Sequence, residues 1–454
     1  MKKTLLLLVI LVTANTIFAQ FSDIIIIDSL CKGTTEVCTG DINNDGLQDI
    51  ILSKAYSDRR ISFYLNLGNG NFGEEQIVTD EYFYYNEVTS ADLNSDGFDD
   101  IITFGPGVQS NITDLIWFPN ESGTFPEAVI LDTNLVTGTE VKCSDLDNDG
   151  DIDVILDDDI KIKVYKNDGS GNFTTPDIIA ANDEYYDFDV ADLNGDGYND
   201  IIASGGDNIT ILWNDTEGGF PTFSYVENPP LGLYFTIKTG DFDNDGDNDF
   251  ALWTTANKLV WFSNDGEGNF TLAQEIADIL LNSTLETNDV DLDGDLDLIS
   301  ATNQSSSVIW FENDGTGFFS DEKIIYQFSE FNTINSVYPV DLDNDGDEEV
   351  VWGAIFGPLA FNDNLTNTVF IEENSQNNNF HIYPNPATDH ITIASKGNEV
   401  SHISIYGITG NPIFEKPQVQ NGETIDISFL SLGAYFVTVR NNGESFTTKF
   451  IKVK

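Results

Sequence analysis

The stretch Asp145-Leu-Asp-Asn-Asp-Gly-Asp-Ile-Asp153 decides the fold, because the chain writes this pattern seven times. The other copies start at Asp41, Asp92, Asp192, Asp241, Asp289 and Asp341, giving spacings of 51, 53, 47, 49, 48 and 52 residues. A period of about 50 held over six intervals marks a repeat architecture. Between copies the pattern is all strand. An apolar run follows each loop, as in Asp100-Ile-Ile-Thr-Phe104, and a second run follows that: Leu115-Ile-Trp-Phe118, Leu259-Val-Trp-Phe262 and Val308-Ile-Trp-Phe311. Next comes a turn of the form Asn264-Asp-Gly-Glu-Gly-Asn-Phe270, seen again at 167–173 and 313–319, whose composition suits positions needing φ > 0. Third and fourth runs lead into the next loop. Four short strands per repeat, seven times over, predict an all-β chain with a seven-bladed β-propeller. The Trp and Phe of the second run read as blade-packing core. To close the ring, Ser22-Asp-Ile-Ile-Ile-Ile27 would complete the last blade beside 349–351 and 359–361, with Val369-Phe-Ile371 competing for the same edge.

Within each loop, oxygen-bearing residues alternate. Position 1 is always Asp; position 3 is Asn43, Asn94, Asp147, Asn194, Asp243, Asp291 and Asp343; position 5 is Asp45, Asp96, Asp149, Asp196, Asp245, Asp293 and Asp345. Position 6 is always Gly, and position 9 is Asp49, Asp100, Asp153, Asp200, Asp249, Asp297 and Glu349. Alternate oxygens on a sharp turn converge on one hard cation, and this number of oxygen ligands favours Ca²⁺ over Mg²⁺. The start matches an EF-hand, but position 12 falls inside a strand (Leu52, Thr103, Leu156, Ala203, Leu252, Ser300, Trp352), so the terminal carboxylate has moved to position 9.

At these residues the chain resembles the FG-GAP/VCBS repeats, the calcium-loop propeller of integrin alpha subunits, over roughly residues 21–370. The resemblance implies ligation by the side chains of positions 1, 3, 5 and 9. It adds the backbone carbonyl of position 7, here Leu47, Phe98, Asp151, Tyr198, Asp247, Asp295 and Asp347. It implies up to seven Ca²⁺. The Phe-Gly and Gly-Ala-Pro signature is hardly visible, which points to the bacterial branch, and Glu349 departs from the usual Asp.

The net charge is −58, from 77 Asp+Glu against 19 Lys+Arg. Such a surface repels phosphate backbones and anionic headgroups, which argues against nucleic acid and membrane-surface partners. All three histidines, His381, His390 and His402, lie near the C-terminus, so nothing earlier can use imidazole as base or ligand. The sequence therefore favours a recognition or adhesion module for glycan or protein, with no catalytic residue assigned. A polysaccharide lyase or two-carboxylate hydrolase on the same propeller is the first alternative, and a purely structural surface protein the second. A lyase acting on uronates needs a basic cluster, and the eleven Lys+Arg of the propeller offer only Arg59-Arg60. The links that lead into the next blade open on the face opposite the loops and are aromatic. Tyr84, Tyr85, Tyr185 and Tyr186 are the candidate ligand-binding residues there.

Lys2 and Lys3, the apolar run 5–12 and Ala19 read as a secretory signal peptide over 1–19, and no later stretch is long enough to span a membrane. The propeller then occupies 21–374 and a linker 375–380. Cys31 and Cys38 could pair, whereas Cys143 reads as a small core residue. From Tyr383-Pro-Asn-Pro-Ala387 charge becomes mixed and short strand patterns follow, with Leu432-Gly-Ala-Tyr435 and Lys449-Phe-Ile-Lys-Val-Lys454 at the end. Residues 381–454 resemble the C-terminal sorting domain of Bacteroidetes type IX secretion, which implies a small β-sandwich, export to the cell surface or medium, and the type IX machinery as a partner.

Overall fold

Each acidic loop ends where a buried strand begins, and this sets how every blade is built. In the computed structural model these strands are Asp49–Lys54, Asp100–Pro106, Asp153–Asp157, Asp200–Gly205, Asp249–Thr254, Asp297–Thr302 and Glu349–Ala354. Branched and aromatic residues fill them because both faces pack against neighbouring blades. The structure describes residues 21–452 except 56–58, 69, 81–86, 107–112, 136–139, 159–160, 180–184, 206–207, 227–233, 279–281, 303–305, 330–331, 367–379, 384–386, 396–401, 407–411, 418, 421, 431–432 and 442–443.

Blade 5 shows the pattern. Tyr234–Gly240 leads into the loop, Asp249–Thr254 leaves it, and Lys258–Asn264 and Phe270–Asp278 complete an antiparallel sheet in sequence order. Blades 1 to 6 all follow this order. Blade 7 supplies only Ile334–Val340, Glu349–Ala354 and Leu359–Asn362, and Ile25–Asp28 from the start of the chain pairs antiparallel with Leu359–Asn362 as its fourth strand. That decides the closure left open by the sequence. The rival 369–371 lies outside the described residues.

Seven apolar clusters sit one at each interface between successive blades. Trp117, Phe118, Trp261, Phe262, Trp310 and Phe311 are all buried in them, as the sequence reading expects. The first strand of each blade lines the axis. Val37 N–H, for example, donates to Ser336 Oγ across the closure (3.1 Å), and Ser90 Oγ donates to the Thr39 carbonyl between blades 1 and 2 (2.5 Å). All three cysteines are free, so Cys31 and Cys38 are not bonded, and Cys143 is half-buried.

The second compact unit begins at Thr368. It has a three-stranded sheet (Phe380–Tyr383, His390–Ser395, Thr424–Asp426) and a four-stranded one (Pro412–Pro417, His402–Tyr406, Gly433–Asn441, Glu444–Lys452). Ile391, Ile393 and Ile425 of the first share one core with Ile403, Ile405, Val437 and Val439 of the second, which makes a small sandwich. No helix among the described residues is long and apolar enough to cross a membrane.

Candidate metal centre and central channel

The loops are shaped by their own side chains. The position 1 carboxylate folds over the turn. In loop 1, Asp41 Oδ1 accepts the N–H of Asp45 (3.0 Å) and Oδ2 that of Gly46 (2.9 Å). Asp45 Oδ1 then accepts the N–H of Leu47 (3.0 Å). The same three bonds recur in loops 2 to 6. Position 4 is left-handed even without glycine, at φ 55 for Asn44 and 58 for Leu292, while Gly46 to Gly346 at position 6 run from φ 85 to 99. Backbone at those angles is where a Cβ is costly, which is why position 6 is invariant.

This turn fits a cation. Asn43 Oδ1, Asp147 Oδ1, Asp243 Oδ1 and Asp291 Oδ1, all at position 3, are buried and lack a hydrogen-bond partner, as are Asp341 Oδ1 and Glu349 Oε1. Buried acceptors are almost always satisfied, so oxygens left open inside an acidic turn are what a metal would use. Carboxylate oxygens of Asp145, Asp147 and Asp149 lie within 4.8 Å of one another, as do those of Asp241, Asp243 and Asp249, of Asp289, Asp291 and Asp293, and of Asp341, Asp343 and Glu349. The last set gives Glu349 a place in its loop despite the extra methylene. Burial, opposed by the hydrogen bonds they accept, pushes the position 9 carboxyls up: Asp49 to about 7, Asp200 to about 6, Asp297 to about 8 and Glu349 to about 9. A divalent cation at the focus removes the penalty of ionising them. When bound, it would cross-link the turn through positions 1, 3, 5 and 9.

Position 9 has a second task. Asp100 Oδ2 accepts the N–H of Leu93 (3.2 Å), and its Oδ1 accepts the N–H of Asn120 (2.7 Å). Asn120 Nδ2 in turn donates to the carbonyls of Asp99 (2.9 Å) and of Ile42 in the preceding blade's loop (2.8 Å). This latch recurs at every junction. Asn167, Asn214, Asn264, Asn313 and Asn364 reach Leu93, Leu146, Leu193, Phe242 and Val290, and Asn66 reaches Leu342 across the ring closure, all at 2.7–2.9 Å. All seven asparagines are buried.

The axis holds a cavity of about 400 Å³. Five residues before each loop, on the first strand or just ahead of it, stand Glu36, Glu87, Glu140, Asp187, Thr236, Thr284 and Ser336, and Glu36, Glu87 and Glu140 line the cavity. Lys142 and Lys238 also face this region. Lys142 Nζ lies 3.0 Å from Asp189 Oδ1 and 3.6 Å from Glu140 Oε1, and Lys238 Nζ lies 2.8 Å from Glu286 Oε2. Burial pushes Glu36 and Asp187 up to about 8 and Glu140 to about 7, and lifts Glu87 well above the carboxyl range. Asp189 is held low despite its burial, because Lys142 and Lys238 sit beside it.

Residues 41–103, 145–203, 192–252 and 289–352 match the FG-GAP-like repeat, and residues 381–454 match the secretion system C-terminal sorting domain. The chain belongs to the FG-GAP-like repeat family. No curated protein matches it. Among solved structures it is similar to the BP39L lectin from Burkholderia pseudomallei, with 12% identity over 74% of this chain and 99% of that one and a TM-score of 0.54. It is also similar to BBS1N in its complex with ARL6DN, with 11% identity over 76% and 96% and a TM-score of 0.52. At these identities the likeness is one of fold. The FG-GAP propeller thus carries a type IX sorting tail at its C-terminal side.

The FG-GAP loops form turns at the predicted stretches, and in four of them carboxylates of positions 1 and 3 cluster with that of position 5 or 9. The aromatic face differs. Tyr185 is only 3% exposed and packs with Ile155, Phe188 and Ile201 between blades 3 and 4, because its position on the first strand points it into the interface. Tyr186 is half-buried, and Tyr84 and Tyr85 lie outside the described residues. Among the described residues the most exposed apolar side chains on that face are Leu30 at 80% and Phe356 at 70%, on neighbouring links joined by Gly33 N–H to the Ile355 carbonyl (2.9 Å). The basic residues are also arranged differently. Arg60 and buried Lys54 converge on Glu75, while Lys142 and Lys238, 96 residues apart in sequence, meet at the axis. The latch asparagines look in sequence like turn residues, and only their recurrence before Asp-Gly or Glu-Ser-Gly could have flagged them.

Proposed function

We propose that this protein is an exported, calcium-binding FG-GAP propeller that recognises a glycan or an extracellular protein with the face opposite its calcium loops. The observation that carries the reading is the unlike build of the two ends. One end is filled seven times over by the same acidic turn, and five of the seven turns hold open, buried oxygens. The other has links whose sequences differ from blade to blade, bears the exposed Leu30 and Phe356, and leads toward the carboxyls that line the axial cavity. Exposed apolar rings beside acceptors suit stacking on neutral sugars or receiving a basic side chain. That a lectin shares the fold is consistent with this use. Calcium would hold the blades, and so the opposite face, in register.

The test is a glycan array probed with the mature propeller in calcium and in chelator, and repeated with Phe356→Ala. Calcium-dependent binding that Phe356→Ala abolishes is expected. Binding that survives both changes would place recognition elsewhere. For export, residues 1–19 would direct the first membrane crossing and residues 381–454 the second. Deleting 381–454 should leave a folded propeller in the periplasm; normal amounts outside the cell would refute the assignment.

One observation favours a second reading. Glu140 at about 7 and Asp187 at about 8 lie in the range of a general acid, beside Lys142. A reducing-end or unsaturated-product assay on the array's binders, with Asp187→Asn as control, separates hydrolase or lyase from pure recognition.

A further inference from the structure

The latch asparagines are the same at all seven junctions, but the layer above them is not. Position 4 of the loop alternates around the ring: Asn44, Ser95, Asn148, Gly195, Asn244, Leu292 and Asn344. At three of the four Asn positions the side chain bonds across to the next loop. Asn148 Nδ2 donates to the carbonyl of Gly197 in loop 4 (2.8 Å), and Asn344 Nδ2 to that of Gly46 in loop 1 (3.3 Å). Asn244 Nδ2 donates to Asp295 of loop 6. Gly197 and Gly46 are the position 6 residues of the turns they belong to, so these bonds end beside the metal position.

Position 8 makes the return contacts. Asp99 of loop 2 bonds loop 1 twice, accepting the Asp41 N–H at Oδ2 (2.8 Å) and donating its own N–H to the Asp41 carbonyl (3.4 Å). Asn248 of loop 5 donates to the carbonyl of Asp192, position 1 of loop 4 (3.0 Å). Asn199 of loop 4 donates to Ser144 Oγ just before loop 3 (3.1 Å), and Glu348 of loop 7 accepts from Asn288 just before loop 6. Six junctions are therefore bridged at the level of the loops. At the seventh, between loops 2 and 3, position 4 is Ser95 and position 8 is Ile152; among the described residues the two turns share only the Asn167 latch, whose Nδ2 donates to the carbonyls of Leu93 and Ile152, and no side chain of position 4 or 8 adds a bridge.

We propose that calcium binding is coupled from loop to loop along an open path running 3–4–5–6–7–1–2, with a single break between loops 2 and 3. The proposal rests on the calcium reading above. A cation in one loop draws in positions 1, 3, 5 and 9, and so fixes the donors and acceptors that reach the neighbouring turn. A neighbour already bridged binds with less ordering left to do. The molecule closes as a ring through its sheets and latches, while its metal sites communicate as a line.

The test uses the full chain and reads amide hydrogen exchange of each loop against calcium concentration, which gives a midpoint per loop. Asp149→Asn disables loop 3 while keeping the acceptor for the Asp151 N–H. In the otherwise native protein it should raise the loop 4 midpoint about three- to tenfold, the size of one net hydrogen bond. In an Asn148→Gly, Ser144→Ala background, which removes both bridges of this junction and places glycine, as at Gly195, where φ is 58, that shift should vanish. Across the break, Asp96→Asn in loop 2 should leave the loop 3 midpoint unchanged, and adding Ser95→Asn should make it respond. A loop 4 midpoint indifferent to Asp149→Asn, or a shift that persists in Asn148→Gly with Ser144→Ala, overturns the coupling. A loop 3 midpoint that already responds to Asp96→Asn overturns the break. If no loop gains protection with calcium, the calcium reading itself fails, which is a separate outcome.

Discussion

The two ends of the propeller are made from the same strands and differ in almost everything else. At the loop end every blade repeats the same acidic turn and the same asparagine latch, and side chains bond across blades. At the other end the links differ in sequence from blade to blade, and among the described residues the most exposed apolar groups there are Leu30 and Phe356. The contrast teaches a division of labour. Repetition is kept where each blade must meet the next, and variation is left where no neighbour constrains it. Stability should then be concentrated at one end and binding at the other.

Four measurements can break or sharpen that contrast. The largest effect should come from removing calcium. Extracellular sites of this kind bind at about 10⁻⁴–10⁻³ M, so at tenfold saturation seven independent sites add about 10 kcal/mol. Chelation should lower the melting temperature by about 10–15 °C. An unchanged calorimetric scan in excess chelator would remove the loop end's special standing. Next, Asn120→Ala strips the buried carbonyls of Ile42 and Asp99 of a donor and should cost about 2–4 kcal/mol, read from denaturant unfolding in calcium.

The third concerns the axis. Glu36, Glu140 and Asp187 have folded-state pKa values of about 8, 7 and 8, raised first of all by burial. Acids with raised values stabilise the fold below their unfolded pKa, near 4, and lose that contribution as pH climbs through 7–8. In saturating calcium the melting temperature should fall by several degrees from pH 5 to pH 8.5. Glu36→Gln with Asp187→Asn should flatten the slope, while Lys142, Lys238, Asp189 and Glu286 keep their pairing. A slope unmoved by the double variant would locate the titration elsewhere. The smallest stability effect belongs to the opposite face. Phe356→Ala should stay within about 0.5 kcal/mol of the native protein in the same unfolding assay. A larger loss would make Phe356 part of the framework.

Much of this was legible in the sequence because it is local and repeated. Nine residues suffice to write a turn, and seven copies fix the blade count. What escaped is what depends on distance along the chain. Whether 24–27 or 369–371 closes blade 7 turns on an edge some 330 residues away, and the pattern of either run fits. Asn120 looks like any turn asparagine until the Ile42 carbonyl, 78 positions earlier, comes within reach. Tyr185 reads as an exposed link residue because the strand it starts is one residue pattern among many, and only the packed blade buries its ring. Lys142 and Lys238 have no sequence relation at all; their meeting is a property of the circle.

The borrowed strand Ile25–Asp28 sets an order of events. The first strand to leave any membrane is the last to find its partner, because Leu359–Asn362 must follow it through the whole length of the propeller. Until then blade 7 is a three-stranded sheet with an open edge, able to pair with a strand from another molecule. Tags or truncations placed at Ile25–Asp28 therefore act on the final blade, and should be judged by whether the circle still shuts.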